Sequence, residues 1–197
     1  HETAVRRNSA SLFSGTVTRG IFAPWPDRGH AGRARPNIEL TRAAAKLLDL
    51  IALAEAGKAG YDAVQYGATI RPAKPPTRMT LGEIFDWIEE TQRQPHAIGR
   101  YQFIPDTLAR LVAIKGYSPS TRFTPQVQDQ LALILLRDAG LAAFEANALP
   151  RRAFMKNLAR IWAGLPLPNG KSYYQGYAGN KATMSFARFE AGIARIF

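Results

Sequence analysis

Apolar positions recur at helical spacing through most of the chain beyond residue 41, and turn-forming residues interrupt them at short intervals. Leu47, Leu48, Leu50, Ile51 and Ala54 form the stripe of a helix predicted over residues 41–56, with Thr41 as N-cap and Gly57 as stop. Thr80-Leu-Gly-Glu83 reads as a capping box opening a helix to about residue 92, whose apolar residues are Ile84, Phe85, Trp87 and Ile88. Pro105 opens a third helix that Gly116 closes, and Thr124-Pro125 opens a fourth that ends near Gly140. A short helix is predicted over 141–148, a basic one over 151–163 before Gly164 and Pro166, and a last one over 181–196. Between them, residues 61–71 alternate loosely through Val64, Tyr66, Thr69 and Ile70 and predict a short strand or hairpin, followed by a Pro-rich loop. Residues 95–103 and the Gly-, Asn- and Tyr-rich stretch 166–180 read as loops.

The first 40 residues differ. They hold Pro24, Pro26 and Pro36, many Gly and Arg, and no helical period, which predicts an extended basic N-terminal arm. The expected architecture is therefore mainly α, formally α+β. One helical domain over 41–197 gathers six or seven short helices around a single core, with a small β element and the arm 1–40 ahead of it.

Composition narrows the function classes. Hydrophobic residues make up 46% of the chain, enough for a sizeable core. The most apolar run, residues 130–136, falls far short of the ~20 residues of a membrane span, so no membrane insertion is expected. The net charge of +11 favours polyanionic partners such as nucleic acid, anionic lipid or peptidoglycan, whose stem peptides and lactyl ethers carry carboxylates. Lys and Arg are spread over the whole chain without a recognised DNA- or RNA-binding motif, so nucleic acid is set aside. The absence of cysteine excludes disulfides and a thiol nucleophile, and His1, His30 and His96 lie too far apart for metal-ligand spacing. The first residue is not Met, as expected of a mature exported or trimmed form.

With no Ser-centred elbow, phosphate-binding Gly loop or metal motif, the remaining chemistry is that of carboxylates. Glycoside cleavage runs on carboxylates alone, and its proton donor must stay protonated near neutral pH. Glu55 fits this requirement. It ends an apolar helix, where the negative end of the helix dipole disfavours a carboxylate, and it stands before a glycine-containing turn. The competing assignment is a surface Glu pairing with Lys58 or Arg42.

Four further segments follow Glu55 in order: Gly60-Tyr-Asp62, Gly99-Arg-Tyr-Gln-Phe103, Ile161-Trp-Ala-Gly-Leu-Pro166 and Tyr173-Tyr-Gln-Gly-Tyr177. Together with Glu55-Ala-Gly57 they resemble the lambda-phage-type endolysins, lysozyme-like enzymes that cut peptidoglycan, from about Leu47 to the C-terminus. The resemblance implies a lysozyme-like fold, no cofactor and peptidoglycan glycan strands as substrate. It makes Glu55 the general acid and then the general base. Tyr61, Asp62, Gly99, Tyr101, Gln102, Tyr173 and Tyr174 become the substrate-binding set: Tyr101 and Gln102 would line the cleft, Tyr173 and Tyr174 would offer rings and hydroxyls, and Asp62 would order the loop or hold a water. Trp162 and His96 are assigned to structure.

Endolysins of this kind are lytic transglycosylases, which need one acid and no second carboxylate. The candidates for a second carboxylate are Asp62, Glu83 and Asp86; Glu83 is better explained as a cap, and the reading leans to the transglycosylase over a hydrolase. The alternative from another class is a binding or scaffold module on the same fold, with an envelope or secretion-machine protein as partner. The presence of both Glu55 and Gln102 argues against it. Either way the expected place of action is periplasmic or otherwise exported.

Overall fold

A computed structural model describes residues 39–197. The arm expected over residues 1–40 therefore lies outside the described residues except for its last two. Seven α-helices follow in order: α1 (Arg42–Glu55), α2 (Leu81–Glu90), α3 (Pro105–Lys115), α4 (Pro125–Asp138), α5 (Leu141–Glu145), α6 (Arg151–Ile161) and α7 (Phe186–Ile196). The capping signals do what the sequence implies. Thr41, Thr124 and Ser185 each accept a backbone N–H of the first turn they precede, and Thr80 and Glu83 form a complete capping box.

The apolar run in α4 explains the architecture. Residues Leu131, Ala132, Leu133, Ile134, Leu135 and Leu136 are all buried, so this helix is covered on every side. It packs against α1, α3 and α5, while α7 closes over α1. Burying each such leucine side chain is worth about 1.5–3 kcal/mol, which fixes α4 as the axis around which the others assemble. A satellite aromatic cluster joins α5, α6 and the C-terminus: Phe144 stacks on Phe154 at 4.5 Å and meets Phe197 edge-on at 5.0 Å. Among the described residues, no helix is long and apolar enough to cross a membrane.

Two expected elements differ in the structure. The β element predicted over 61–71 consists of isolated bridges, Val64 with Ile98 and Ile98 with Phe103, preceded by a 3₁₀ turn over Gly57–Asp62. Pro72, Pro75 and Pro76 cannot extend a ladder because they have no N–H to donate. The last helix starts at Phe186 and not near residue 181, because Ser185 takes the capping position. Residues 181–185 are left as a connecting strip that crosses the end of α1, with consequences for Glu55.

Candidate active site

Glu55 is the final residue of α1 and is half-buried. Its carboxyl oxygen Oε1 accepts a hydrogen bond from the backbone N–H of Gly164 at 2.8 Å. Burial pushes the carboxyl up to about 7, and the Gly164 N–H offsets part of that rise by favouring the ionised form. The surface-pairing assignment is thereby displaced: neither Lys58 nor Arg42 is an ion-pair partner of Glu55. Gly164 lies in the turn after α6 and is pressed against the end of α1. A Cβ there would stand 2.7 Å from the Ala54 carbonyl oxygen, 2.8 Å from Glu55 Oε1 and 3.0 Å from Thr183 Oγ1, so the position has room only for glycine.

The Gly-Arg-Tyr-Gln-Phe segment is a tight hairpin. Ile98 and Phe103 exchange both backbone hydrogen bonds, and Gly99 turns the chain at φ 80°. Gly99 is fixed by crowding as well as by φ, since a Cβ would fall 2.5 Å from the side-chain oxygen of Gln128. Gln128 is fully buried; its Oε1 accepts from Arg100 N, and its amide donates to the carbonyls of Tyr61 and Phe123. Gln102 takes a left-handed φ of 47° and folds its amide back to donate to the Gly99 carbonyl at 2.9 Å. The hairpin is tied to the segment that leads into the Gly164 turn through Trp162, whose indole N–H donates to the Tyr101 carbonyl at 3.3 Å.

Two of the expected substrate-binding tyrosines belong to the wall behind the hairpin. Tyr101 is only 1% exposed, and its hydroxyl donates to Asp129 Oδ1 at 2.6 Å. Tyr61 donates to the same carboxylate at 3.0 Å and meets Tyr101 edge-on. Arg100 lies over both rings, donates to the Tyr61 hydroxyl at 3.1 Å and pairs with Asp49 at 2.7 Å. Burial is the largest cause that holds both phenols above their ordinary value, and Asp129 adds to it. A buried Tyr101 gives a sugar no ring face to stack on. Asp129, Gln128 and Arg100, which hold the hairpin, were not among the expected residues, although Arg100 lies inside the motif that carried the resemblance.

Asp62 orders its loop by accepting from Thr77 N at 2.8 Å, and it lines a concavity of about 340 Å³ with Arg71 and the proline loop. On the other side, Tyr173 is exposed, with Arg160 over its ring. Tyr174 is half-buried and donates to the Arg160 carbonyl at 2.6 Å, which leaves Tyr173 the freer of the pair. Tyr66 is 85% exposed, and a Cβ on Gly179 would lie 4.0 Å from its hydroxyl, so the 63–79 loop and the tyrosine-rich loop face each other at close range. His96 is buried, bonds to Thr91 and meets Trp87 edge-on, and Trp162 is buried as well; both belong to the framework.

The endolysin family model matches residues 45–190, a span that takes in Glu55, the hairpin, the Gly164 turn and the tyrosine-rich loop. The chain belongs to the endolysin family. It is accordingly a peptidoglycan-degrading enzyme whose substrate is the bacterial cell wall. No curated protein and no solved structure matches it. In this endolysin the other carboxylates considered for chemistry have separate surroundings. Asp62 holds Thr77 N, Glu83 caps α2 and pairs with Lys74, and Asp86 is exposed on α2.

Proposed function

We propose that this endolysin cleaves the β-1,4 bond between MurNAc and GlcNAc as a lytic transglycosylase, with Glu55 as acid and then base. The observation that carries the reading is a single half-buried carboxyl poised at about 7 with one backbone N–H as its hydrogen-bond donor. Because Oε1 accepts from Gly164, the acidic proton belongs on Oε2. That proton passes to the bridging oxygen as the glycosidic bond breaks and positive charge develops on the MurNAc ring. The carboxylate left behind is stabilised by the Gly164 N–H. It then takes the proton of the muramic 6-hydroxyl, whose oxygen closes on the anomeric carbon. The product is a 1,6-anhydro end, Glu55 is reprotonated, and no water is consumed. A group near 7 serves both steps at neutral pH.

The commitments of Asp62 and Glu83 elsewhere favour this route over hydrolysis, which needs a second carboxylate to activate water or attack the ring. In the proposed cleft Gln102 and the Gly99 turn meet the sugars, Tyr173 offers a ring face, and Asp62 orders the opposite loop. Tyr61, Tyr101 and Tyr174 brace these surfaces through their hydroxyls. The cutting unit is residues 41–197, it acts in the periplasm or otherwise outside the cytoplasm, and its excess of positive charge draws it to the anionic wall. Digestion of purified peptidoglycan tests the reading by the mass of the products. Muropeptides lighter by one water, absent with Glu55→Gln, are expected; full-mass reducing ends would replace the transglycosylase with a hydrolase.

A further inference from the structure

The strip between the tyrosine-rich loop and α7 crosses the end of α1 at one residue. Thr183 donates its hydroxyl proton to the Ala54 carbonyl at 2.7 Å, and its backbone N–H donates to the Gly164 carbonyl at 2.9 Å. Gly164 in turn donates its N–H to Glu55 Oε1 at 2.8 Å. Three segments far apart in sequence thus close a small ring: the last residues of α1, the turn after α6, and residue 183. Gly164 has both its backbone groups engaged in it. The Ala54 carbonyl is one of the orphan acceptors that any helix end leaves, and it belongs to the residue immediately before the acid.

We propose that Thr183 is a positioning residue for Glu55: it clamps the end of α1 to the Gly164 turn and so keeps the Gly164 N–H aimed at the acid. This rests on the assignment of Glu55 as the acid. Thr183 is itself exposed and is not part of the hydrophobic core. The role also gives the tyrosine-rich loop a direct covalent link to the acid's surroundings, since only residues 178–182 separate Thr183 from Tyr177. Without the hydroxyl, the Ala54 carbonyl turns to water, the turn separates from α1, and water reaches the carboxyl. Burial is the larger of the two influences on Glu55, so its carboxyl then moves back toward the ordinary carboxylate range.

The test compares Thr183→Val, which keeps the shape and removes the hydroxyl, with Thr183→Ser, which keeps the hydroxyl. Two readouts are taken on the whole chain: kcat and KM for wall glycan across pH, and the titration of the Glu55 side-chain carboxyl by carbon-13 NMR. For Thr183→Val, kcat is expected to fall by several-fold, short of the about hundredfold cost of a 1 Å misplacement, with KM unchanged. The Glu55 midpoint and the alkaline limb of kcat should both shift to lower pH, and Thr183→Ser should restore both. An unshifted midpoint with unchanged kcat overturns the proposal, and so does a loss confined to KM, which would make Thr183 a sugar contact. If Thr183→Val fails to fold, Thr183→Ala against Thr183→Ser carries the same comparison. A Glu55 midpoint that moves with Val and returns with Ser, in a protein that releases no glycan product, would uphold the clamp and remove the assignment of Glu55 as acid.

Discussion

Two carboxylates sit at joints between distant segments of this endolysin, and they are treated in opposite ways. Asp129 receives hydroxyl donors from both Tyr61 and Tyr101, while Arg100, paired with Asp49, lies over the two rings. Glu55 receives one backbone N–H and is held up to about 7 by burial. The first arrangement welds the hairpin to α4. The second leaves the charged form under-supported, so a proton is gained and lost near neutrality. A carboxyl whose folded surroundings do not fully satisfy its charge is suited to proton transfer, which is the role proposed for Glu55.

Removing the proposed acid should break the comparison most sharply. Glu55→Gln is expected to lower wall-degrading activity by about 10³-fold or more, measured as kcat on purified peptidoglycan. It should also stabilise the fold. The folded-state value of Glu55 is raised from its ordinary 4.5 to about 7, so the folded protein binds the proton more tightly than the unfolded chain. Stability is therefore lost as pH rises through that window and stays lowered above it. The Gln variant should match the wild type below about pH 4 and exceed it by about 1–3 kcal/mol above pH 7, a discounted figure because the group is only half-buried. Urea unfolding at pH 4 and pH 8 reads the difference, and an equal gap at both would contradict it. The rate of the wild type should fall above about pH 7 as Glu55 ionises.

Gly164→Ala comes next in size. The added methyl would overlap Ala54 O, Glu55 Oε1 and Thr183 Oγ1 at once, so the turn must retreat and the N–H leaves the acid. A loss of about 10²-fold in kcat is expected with little change in KM. A change confined to KM would mean that the turn serves binding alone.

This pair of sites also marks how far the sequence could be read. The helices were legible because apolar spacing and capping residues are local, as the capping box at Thr80 and Glu83 and the stop at Gly116 illustrate. Glu55 was legible as the polar end of an apolar helix. Its partner was not: Gly164 lies 109 residues away, and a backbone N–H leaves no trace in side-chain chemistry. Thr183 was hidden for a related reason, since residues 181–185 looked like the first turn of α7. Tyr101 and Asp129 lie 28 residues apart, and an Asp in the second turn of a helix reads as solvated until the hairpin is laid against it. The motif residues are local in sequence, while which of them are buried in the framework and which stay exposed needed three dimensions.

Asp129→Ala probes the other side of the comparison. It leaves the buried Tyr101 hydroxyl without its acceptor, at a cost of about 2–3 kcal/mol in stability. The expected signature is the reverse of Glu55→Gln: a lowered melting temperature, with kcat at a permissive temperature retained within a few-fold. A loss of activity as large as that of Glu55→Gln would give Asp129 a share in the chemistry and end the distinction between the two carboxylates.

The smallest effects belong to the exposed rings. Tyr173→Ala and Tyr66→Ala remove side chains that make few contacts within the protein, at 41% and 85% exposure, so stability should change by less than about 0.5 kcal/mol. Each ring gives an apolar face to a sugar, and the two loops that carry them approach each other where Tyr66 nears Gly179. Losing one face should raise KM for long glycan strands by about three- to tenfold, equivalent to about 0.6–1.4 kcal/mol, and leave kcat nearly unchanged. Binding to the wall measured with Glu55→Gln as the inactive background separates the two quantities. If the loops act as one clamp, the double variant should lose less than the product of the single losses, because removing either ring already opens it.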